Sequence, residues 1–119
     1  MKRDISVPTI VSVLLLLLTL APVALATAAQ DNDAGKALFD SKCAMCHAAD
    51  GKADTRAGKM MKVPDLTAGE WKHGMTLADV EKVVTEGAGK MPKFQGKLTA
   101  QQITEVAQYT LKFAPAKSH

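Results

Sequence analysis

The sequence is short of large side chains and of cysteines. Aromatic residues make up 4% of its 119 residues, and it has two cysteines, one tryptophan and one tyrosine. It shows no alternating strand pattern and no internal repeat. A chain of this length forms one small domain, and so few bulky residues leave its core short of apolar volume, which a bound cofactor would supply. The formal net charge of +3 does not by itself indicate nucleic-acid binding.

The N-terminus has the pattern of a secretory signal peptide. A basic start is followed by an apolar run over residues 10–21, a proline and several small residues, which predicts cleavage near Ala26 or Ala28. The run is shorter than the roughly 20 residues that a membrane-spanning helix needs. We therefore expect residues 1–28 to be removed and residues 29–119 to be a bacterial periplasmic domain without stable membrane insertion.

Both cysteines lie in the pentapeptide CAMCH, as Cys43 and Cys46, with His47 directly after them. Two thiols three residues apart, followed by an imidazole, are the attachment signature of a c-type haem. On a helix these three side chains share one face. Both thiols can then bond to the porphyrin vinyl groups while the imidazole binds the iron from one side.

Three other interpretations of this motif fit the sequence less well. A thioredoxin-type redox pair would follow a strand of a parallel sheet, which the surrounding pattern does not show. A zinc site would need more ligands, and only His73 and His119 remain as imidazoles. A disulfide between the two cysteines would close a very small loop. One covalent haem is therefore the favoured prediction.

The rest of the chain predicts helices and loops, and so an all-α fold. The clearest helix follows the N-cap Thr76, has a valine-rich face and ends at Gly87. Another follows the N-cap Thr99 and ends near residue 113. The other predicted elements are a first helix from about residue 34 into CAMCH, a loop over residues 48–67 with at most one helical turn near residues 59–62, and a short helix over residues 67–74.

Three further residues, and a tryptophan with two alternative roles, are candidates for a haem site. The Pro64 carbonyl can accept a hydrogen bond from Nδ1 of His47, which would fix the imidazole tautomer, and Leu66 would pack beside the haem. Met91 lies in EGAGKMPKF between flexible glycines and a proline, which presents its thioether at a fixed angle. The Trp71 indole either reaches a haem propionate or packs in the core.

These segments together resemble the class I cytochromes c, above all the small soluble monohaem proteins of bacteria and of algal photosynthesis. The likeness covers about residues 33–113 and rests on GKALFDSKCAMCH, VPDL and GAGKMPKFQGKLTAQQITEVAQYTLKF. It implies three to five helices around one covalently attached haem. It also implies that Met91 is the second iron ligand, opposite His47, and that the Pro64 carbonyl holds the histidine.

The resemblance further implies a close crossing of the first and last helices. Gly35 and Phe39 of the first helix would meet Val106 and Tyr109 of the last, which gives a reason for a glycine inside a helix. Thr110 stands where the family usually has an aliphatic residue. Its hydroxyl can bond back to its own helix.

An iron that binds both His47 and Met91 has no open position for a substrate, so catalysis at the iron is disfavoured and we do not expect an enzyme. The function implied is a one-electron carrier between periplasmic or membrane redox complexes of a respiratory chain. The alternatives are a haem subunit of a dehydrogenase or terminal oxidase, and a sensor or enzyme whose methionine dissociates. Lysines 90, 93 and 97 flank the methionine and would steer a monomeric carrier to acidic partners.

Overall fold

The computed structural model of the protein describes residues 27–69 and 71–116, and these residues form helices joined by loops. Within those ranges there is no β-strand, only two isolated bridges, so the predicted all-α fold class is confirmed. The elements are α1 (Thr27–Lys42), α2 (Ala44–His47), α3 (Arg56–Met61), α4 (Leu77–Glu86), α5 (Ala100–Thr110) and a 3₁₀ turn (Leu111–Phe113).

Most of the predicted signal peptide, with the cleavage candidate Ala26, lies outside the described residues, and Ala28 lies in the first turn of α1. The start of α1 at Thr27 corrects the prediction that the first helix begins near residue 34. Alanine and glutamine at residues 28–30 favour a helix, so the helix extends further toward the N-terminus. Among the described residues, none of the helices has the length and apolarity needed to cross a membrane.

The core forms where α1 crosses α5, with α4 packed on the other side of α5. A Cβ atom added to Gly35 would lie 2.9 Å from the carbonyl carbon of Glu105 and 3.0 Å from Cβ of Tyr109. The glycine therefore lets the two backbones touch, as predicted. Phe39 and Val106 are completely buried at this crossing. The buried residues of the core are Phe39, Leu66, Val80, Val84, Ile103, Val106 and Ala107.

Both C-terminal helices begin as the sequence predicts. Thr76 accepts a hydrogen bond from the Asp79 N–H, and the Asp79 carboxylate accepts one from the Thr76 N–H, which forms a capping box. Thr99 and Gln102 form the equivalent box on α5. The Thr110 hydroxyl donates to the Val106 carbonyl at 2.7 Å, which confirms the predicted bond back to its own helix.

The segment between the CAMCH motif and α4 differs from its predicted structure. Residues 56–61 form α3, a full helix rather than one late turn, because Thr55 caps it at an earlier residue. The described residues between Thr67 and Gly74 form turns instead of the predicted short helix. Gly69 has a φ of +65° there, which a right-handed helix cannot contain.

Candidate haem site

The last four residues of the CAMCH motif form α2, a single helical turn that follows α1 almost without a break and has Cys43 as its N-cap. The N–H of Cys43 still donates to the Phe39 carbonyl of α1 at 2.8 Å, and the N–H of His47 donates to the Cys43 carbonyl at 2.9 Å. Cys43 and Cys46 are free thiols, each half-buried. The core of α1 and α5 therefore determines how both thiols and the imidazole are oriented.

The electrostatics of the thiols argue against two of the alternative interpretations. Burial, and then the neighbouring Cys46, raise the pKa of the Cys43 thiol to about 11. A redox-active cysteine pair needs a lowered thiol pKa, so the environment is the opposite of a thioredoxin-type site. Within residues 27–69 and 71–116, no three His, Cys, Asp or Glu side chains are grouped as a metal site, so no zinc site forms there.

His47 is a half-buried imidazole whose Nδ1 atom is buried. Burial lowers its pKa, so the ring is neutral near pH 7. Its Nδ1 atom is buried and, in the part of the chain that the structure describes, has no hydrogen-bond partner. The structure therefore does not contain the hydrogen bond predicted between this nitrogen and the Pro64 carbonyl, and Pro64 itself is exposed. The ring of Phe39 lies beside the imidazole, with its centroid 6.3 Å away.

Met91 lies in a tight loop that folds back onto the end of α4. The N–H of Met91 donates to the Ala88 carbonyl at 2.9 Å, and the N–H of Ala88 donates to the Met91 carbonyl at 3.2 Å. Gly87 has a φ of +75°, and a Cβ atom on it would lie 2.7 Å from the Met91 carbonyl oxygen. The methionine is half-buried against the same core as Cys43 and Leu66.

Of the other candidates, Leu66 and Trp71 belong to the core or pack on it, whereas His73 does not. Leu66 is buried in the core, where its N–H donates to the Gly51 carbonyl at 2.8 Å. The Trp71 indole N–H donates to the Leu66 carbonyl at 3.0 Å while the ring packs on the core, so its donor is used within the protein. His73 is exposed. The structure thus gathers Cys43, Leu66 and Met91 around one core.

Comparison with known proteins agrees with this geometry. Residues 30–109 match the family described as cytochrome c oxidase, cbb3-type, subunit III. Cytochrome c6 of Rippkaea orientalis is 40% identical over 117 residues, which cover 98% of this chain and 97% of that protein. The chain belongs to the c-type cytochromes. It is a small monohaem class I member, and the family carries a covalently bound haem c with iron.

Two further matches cover only part of the longer proteins. The CcoP subunit of the cbb3-type cytochrome c oxidase of Rubrivivax gelatinosus is 36% identical over 84 residues, which are 69% of this chain and 26% of that subunit. A chain of the Kuenenia stuttgartiensis reducing HAO-like protein complex shares the fold with a TM-score of 0.68. At 24% identity, this match covers 76% of the cytochrome and 46% of that chain.

The residues present fit a covalent haem. Cys43 at the N-cap and Cys46 within a one-turn helix place two free thiols next to a neutral imidazole. In histidine metal sites, one ring nitrogen binds the metal and the other takes part in a hydrogen bond that orients the ring. The partly buried apolar side chains around the core, including Met91, Trp71 and Leu98, suit a large flat apolar ligand.

Sequence reasoning missed the residue that joins α2 to α3. The Thr55 hydroxyl donates to the Met45 carbonyl at 2.8 Å and lies 3.3 Å from the Cys46 carbonyl, and it accepts from the N–H of Gly58. A Cβ atom on Gly58 would lie 2.5 Å from the Cys46 carbonyl oxygen. A threonine three residues before a glycine was the available signal, and it was hidden in a segment assigned to a loop.

Proposed function

We propose that this cytochrome is a one-electron carrier whose haem is attached through Cys43 and Cys46 and held by His47 and Met91. The observation that supports this most is that Met91 packs half-buried against the core that also contacts Cys43. When bound, the haem supplies an iron that changes between Fe(III) and Fe(II). The cytochrome c6 relatives support a carrier role.

The chain contributes the orientation and the enclosure of the site. Phe39 packs beside the His47 ring, and the reciprocal backbone bonds between Ala88 and Met91 fix the main chain that carries the thioether. Two protein ligands leave no position for a substrate, so the protein is a carrier and not an enzyme. A soft sulfur ligand and apolar surroundings favour Fe(II) and raise the reduction potential.

The burial of the methionines supports Met91 over its rivals as the second ligand. Met60 and Met61 follow His47 through a loop of adequate reach, but α3 leaves both exposed. Met45 is 75% exposed within the haem motif. We also propose that the Pro64 carbonyl would accept a hydrogen bond from Nδ1 of His47 in the holoprotein.

We further propose that residues 1–28 are a signal peptide and that the mature monomer works in the bacterial periplasm. Its partners would be larger redox proteins with acidic docking surfaces. Lys90, Lys93 and Lys97 are exposed, and they have no ion-pair partner among the described residues. Positive charge of this kind speeds encounter with acidic partners.

The decisive experiment replaces Met91 by alanine in the holoprotein. The oxidised protein should lose its weak sulfur-to-iron charge-transfer absorption, its reduction potential should fall, and the reduced iron should bind carbon monoxide. The matched control is Met60→Leu with Met61→Leu, which should leave all three properties unchanged. Intact-mass analysis should show one haem on each variant. If the control variant shows these three changes and Met91→Ala does not, the second iron ligand is a methionine of α3.

A second function has its own support. The match of residues 30–109 to subunit III of cbb3-type oxidases, and the likeness to a quarter of a CcoP subunit, favour a haem subunit held in an oxidase. Gel filtration of native membranes and periplasm, with detection of the covalent haem, separates the two functions. A free carrier elutes from the periplasmic fraction as a small monomer, whereas an oxidase subunit elutes with the membrane complex.

A further inference from the structure

Three methionines are the exposed large hydrophobic residues of the described structure. Met45 is 75% exposed, Met60 71% and Met61 43%. Met60 and Met61 lie at the end of α3, and the backbone of Met45 is bonded to Thr55 at the start of α3. Single exposed apolar residues are common on proteins, but here the exposed thioethers collect on and beside one short helix.

Basic residues surround these methionines. Arg56, Lys59 and Lys62 are exposed on α3 and at its C-cap. Lys59 pairs with Asp54 at 2.6 Å, whereas Arg56 and Lys62 have no ion-pair partner within the described residues. Residues 50–62 hold four basic and two acidic side chains, a net charge of +2. We call Met45, Arg56, Lys59, Met60, Met61 and Lys62 the α3 face.

The α3 face lies directly against the haem-attachment motif. Gly58, on the buried side of α3, packs against the carbonyl oxygens of Ala53 and Cys46, and the Thr55 hydroxyl bonds to the Met45 carbonyl. A protein seated on this face would therefore lie next to Cys46. Because electron transfer slows steeply with distance, a surface beside a haem-bearing thiol is a favourable exit for an electron.

We propose that the α3 face is the docking surface for an acidic redox protein that has an apolar centre ringed by carboxylates. This inference rests on the proposed carrier function and names the surface that the carrier uses. Charge complementarity selects the partner, because Arg56 and Lys62 match carboxylates. Apolar contacts in the centre and charges at the rim are the usual arrangement of a transient interface.

Methionine suits a surface that serves two partners in turn. Its side chain is unbranched and flexible and adapts to differently shaped apolar surfaces. A carrier must dock first on its donor and then on its acceptor. The Met91 loop, in contrast, exposes three lysines but no large apolar side chain, and Lys97 lies over the Phe94 ring at 5.8 Å. The loop has charge for steering but no apolar centre for a docked complex.

Gold electrodes coated with carboxylate-terminated thiols, alone or mixed with methyl-terminated thiols, test the proposal with the holoprotein. The mixed coating imitates an apolar centre among carboxylates. The variant Met60→Gln with Met61→Gln keeps side-chain length and helix propensity. We expect its adsorption to fall about five- to tenfold on the mixed coating and to match the wild type on the pure carboxylate coating. If the variant adsorbs as strongly as the wild type on the mixed coating as well, the proposal is overturned.

Two charge variants separate position from net charge. Arg56→Gln with Lys62→Gln and Lys90→Gln with Lys93→Gln each remove two positive charges. The first pair should slow interfacial electron exchange at low salt by about threefold or more, and the second pair should slow it less. An equal or larger effect of the second pair would move docking to the Met91 loop and overturn the proposal.

Two further measurements distinguish other outcomes. Vesicles of mixed anionic and zwitterionic phospholipids should bind the wild type and the methionine variant equally. Weaker vesicle binding by that variant would assign the α3 face to a membrane surface and overturn the protein-partner proposal. A solution redox titration of the holoprotein tests the carrier function separately. A reversible one-electron titration curve would support the carrier function even if the electrode experiments overturn the docking surface.

Discussion

Two segments flank the core of this cytochrome, and they are held to it by different means. The methionine loop, residues 87–98, is joined to the end of α4 by backbone bonds from Phe94 to Val84 at 3.0 Å and from Gln95 to Thr85 at 3.2 Å. The post-motif segment, residues 48–66, is attached to α2 by a backbone bond from the Ala53 N–H to the His47 carbonyl at 2.8 Å and also by one side chain, the Thr55 hydroxyl, which reaches the Met45 and Cys46 carbonyls. Backbone bonds tolerate side-chain changes, so the part of the second attachment that depends on Thr55 is the more sensitive to mutation.

The largest expected effect comes from breaking the helix crossing on which both segments depend. Gly35→Val would force side-chain atoms into the Glu105 carbonyl and the Tyr109 side chain, and overpacking of this kind costs about 1–3 kcal/mol. Ala37→Val in the same helix is the matched control, since Ala37 is exposed and reports only the lower helix propensity of valine. Thermal melts of both holoproteins measure the difference. Equal melting temperatures would mean that α1 and α5 do not touch at Gly35.

The next effect sharpens the contrast between the two segments. Thr55→Val removes the N-cap of α3 and leaves the Met45 carbonyl without its donor, which together cost about 1–3 kcal/mol. Thr99→Val removes only the N-cap of α5 and should cost about 1 kcal/mol. The measurements are thermal melts together with the absorption spectrum and reduction potential, which only the Thr55 variant should shift. Thr55→Ser should restore all three, and equal losses in the two valine variants would contradict the special role of Thr55.

The same contrast explains how much of the structure could be predicted from sequence. α4 and α5 were predicted because their signals are local, with Thr76 and Thr99 as caps and valines or isoleucine at helical spacing. The Gly35 crossing was predicted through the family resemblance, and the residues assigned to it did not include Phe113, although the Phe113 ring lies 5.0 Å from that of Phe39. The predicted α3 was too short, because the start of the helix depends on the Thr55 hydroxyl, which also bonds to a carbonyl ten residues earlier. Such long-range contacts leave no periodic pattern.

Some features of the candidate site can be predicted from local sequence, and others depend on the fold. The CAMCH spacing locates both thiols and the imidazole without any knowledge of the fold. The half-buried position of Met91 follows from backbone bonds between its loop and α4, which spacing alone does not define. The exposure of Met60 and Met61 follows from Gly58 facing the Cys46 carbonyl. Only the structure shows which side of α3 is buried.

The smallest effect distinguishes the capping boxes on the two sides of the methionine loop. Hydrogen bonds from the Thr76 hydroxyl and N–H lower the pKa of the Asp79 carboxyl below its ordinary value of 3.8. Because the pKa in the folded protein is lower than in the unfolded chain, this stabilisation is complete above pH 3.8 and is lost as the pH falls through the folded pKa.

Asp79→Asn should therefore be slightly less stable than the wild type near pH 7, and the difference in stability should shrink in acid. The box of α5 uses the neutral Gln102, so the cost of Gln102→Ala should be the same at both pH values. Denaturant unfolding at pH 7 and pH 3 measures both differences, and a cost of Asp79→Asn that stays constant with pH would contradict the charged cap.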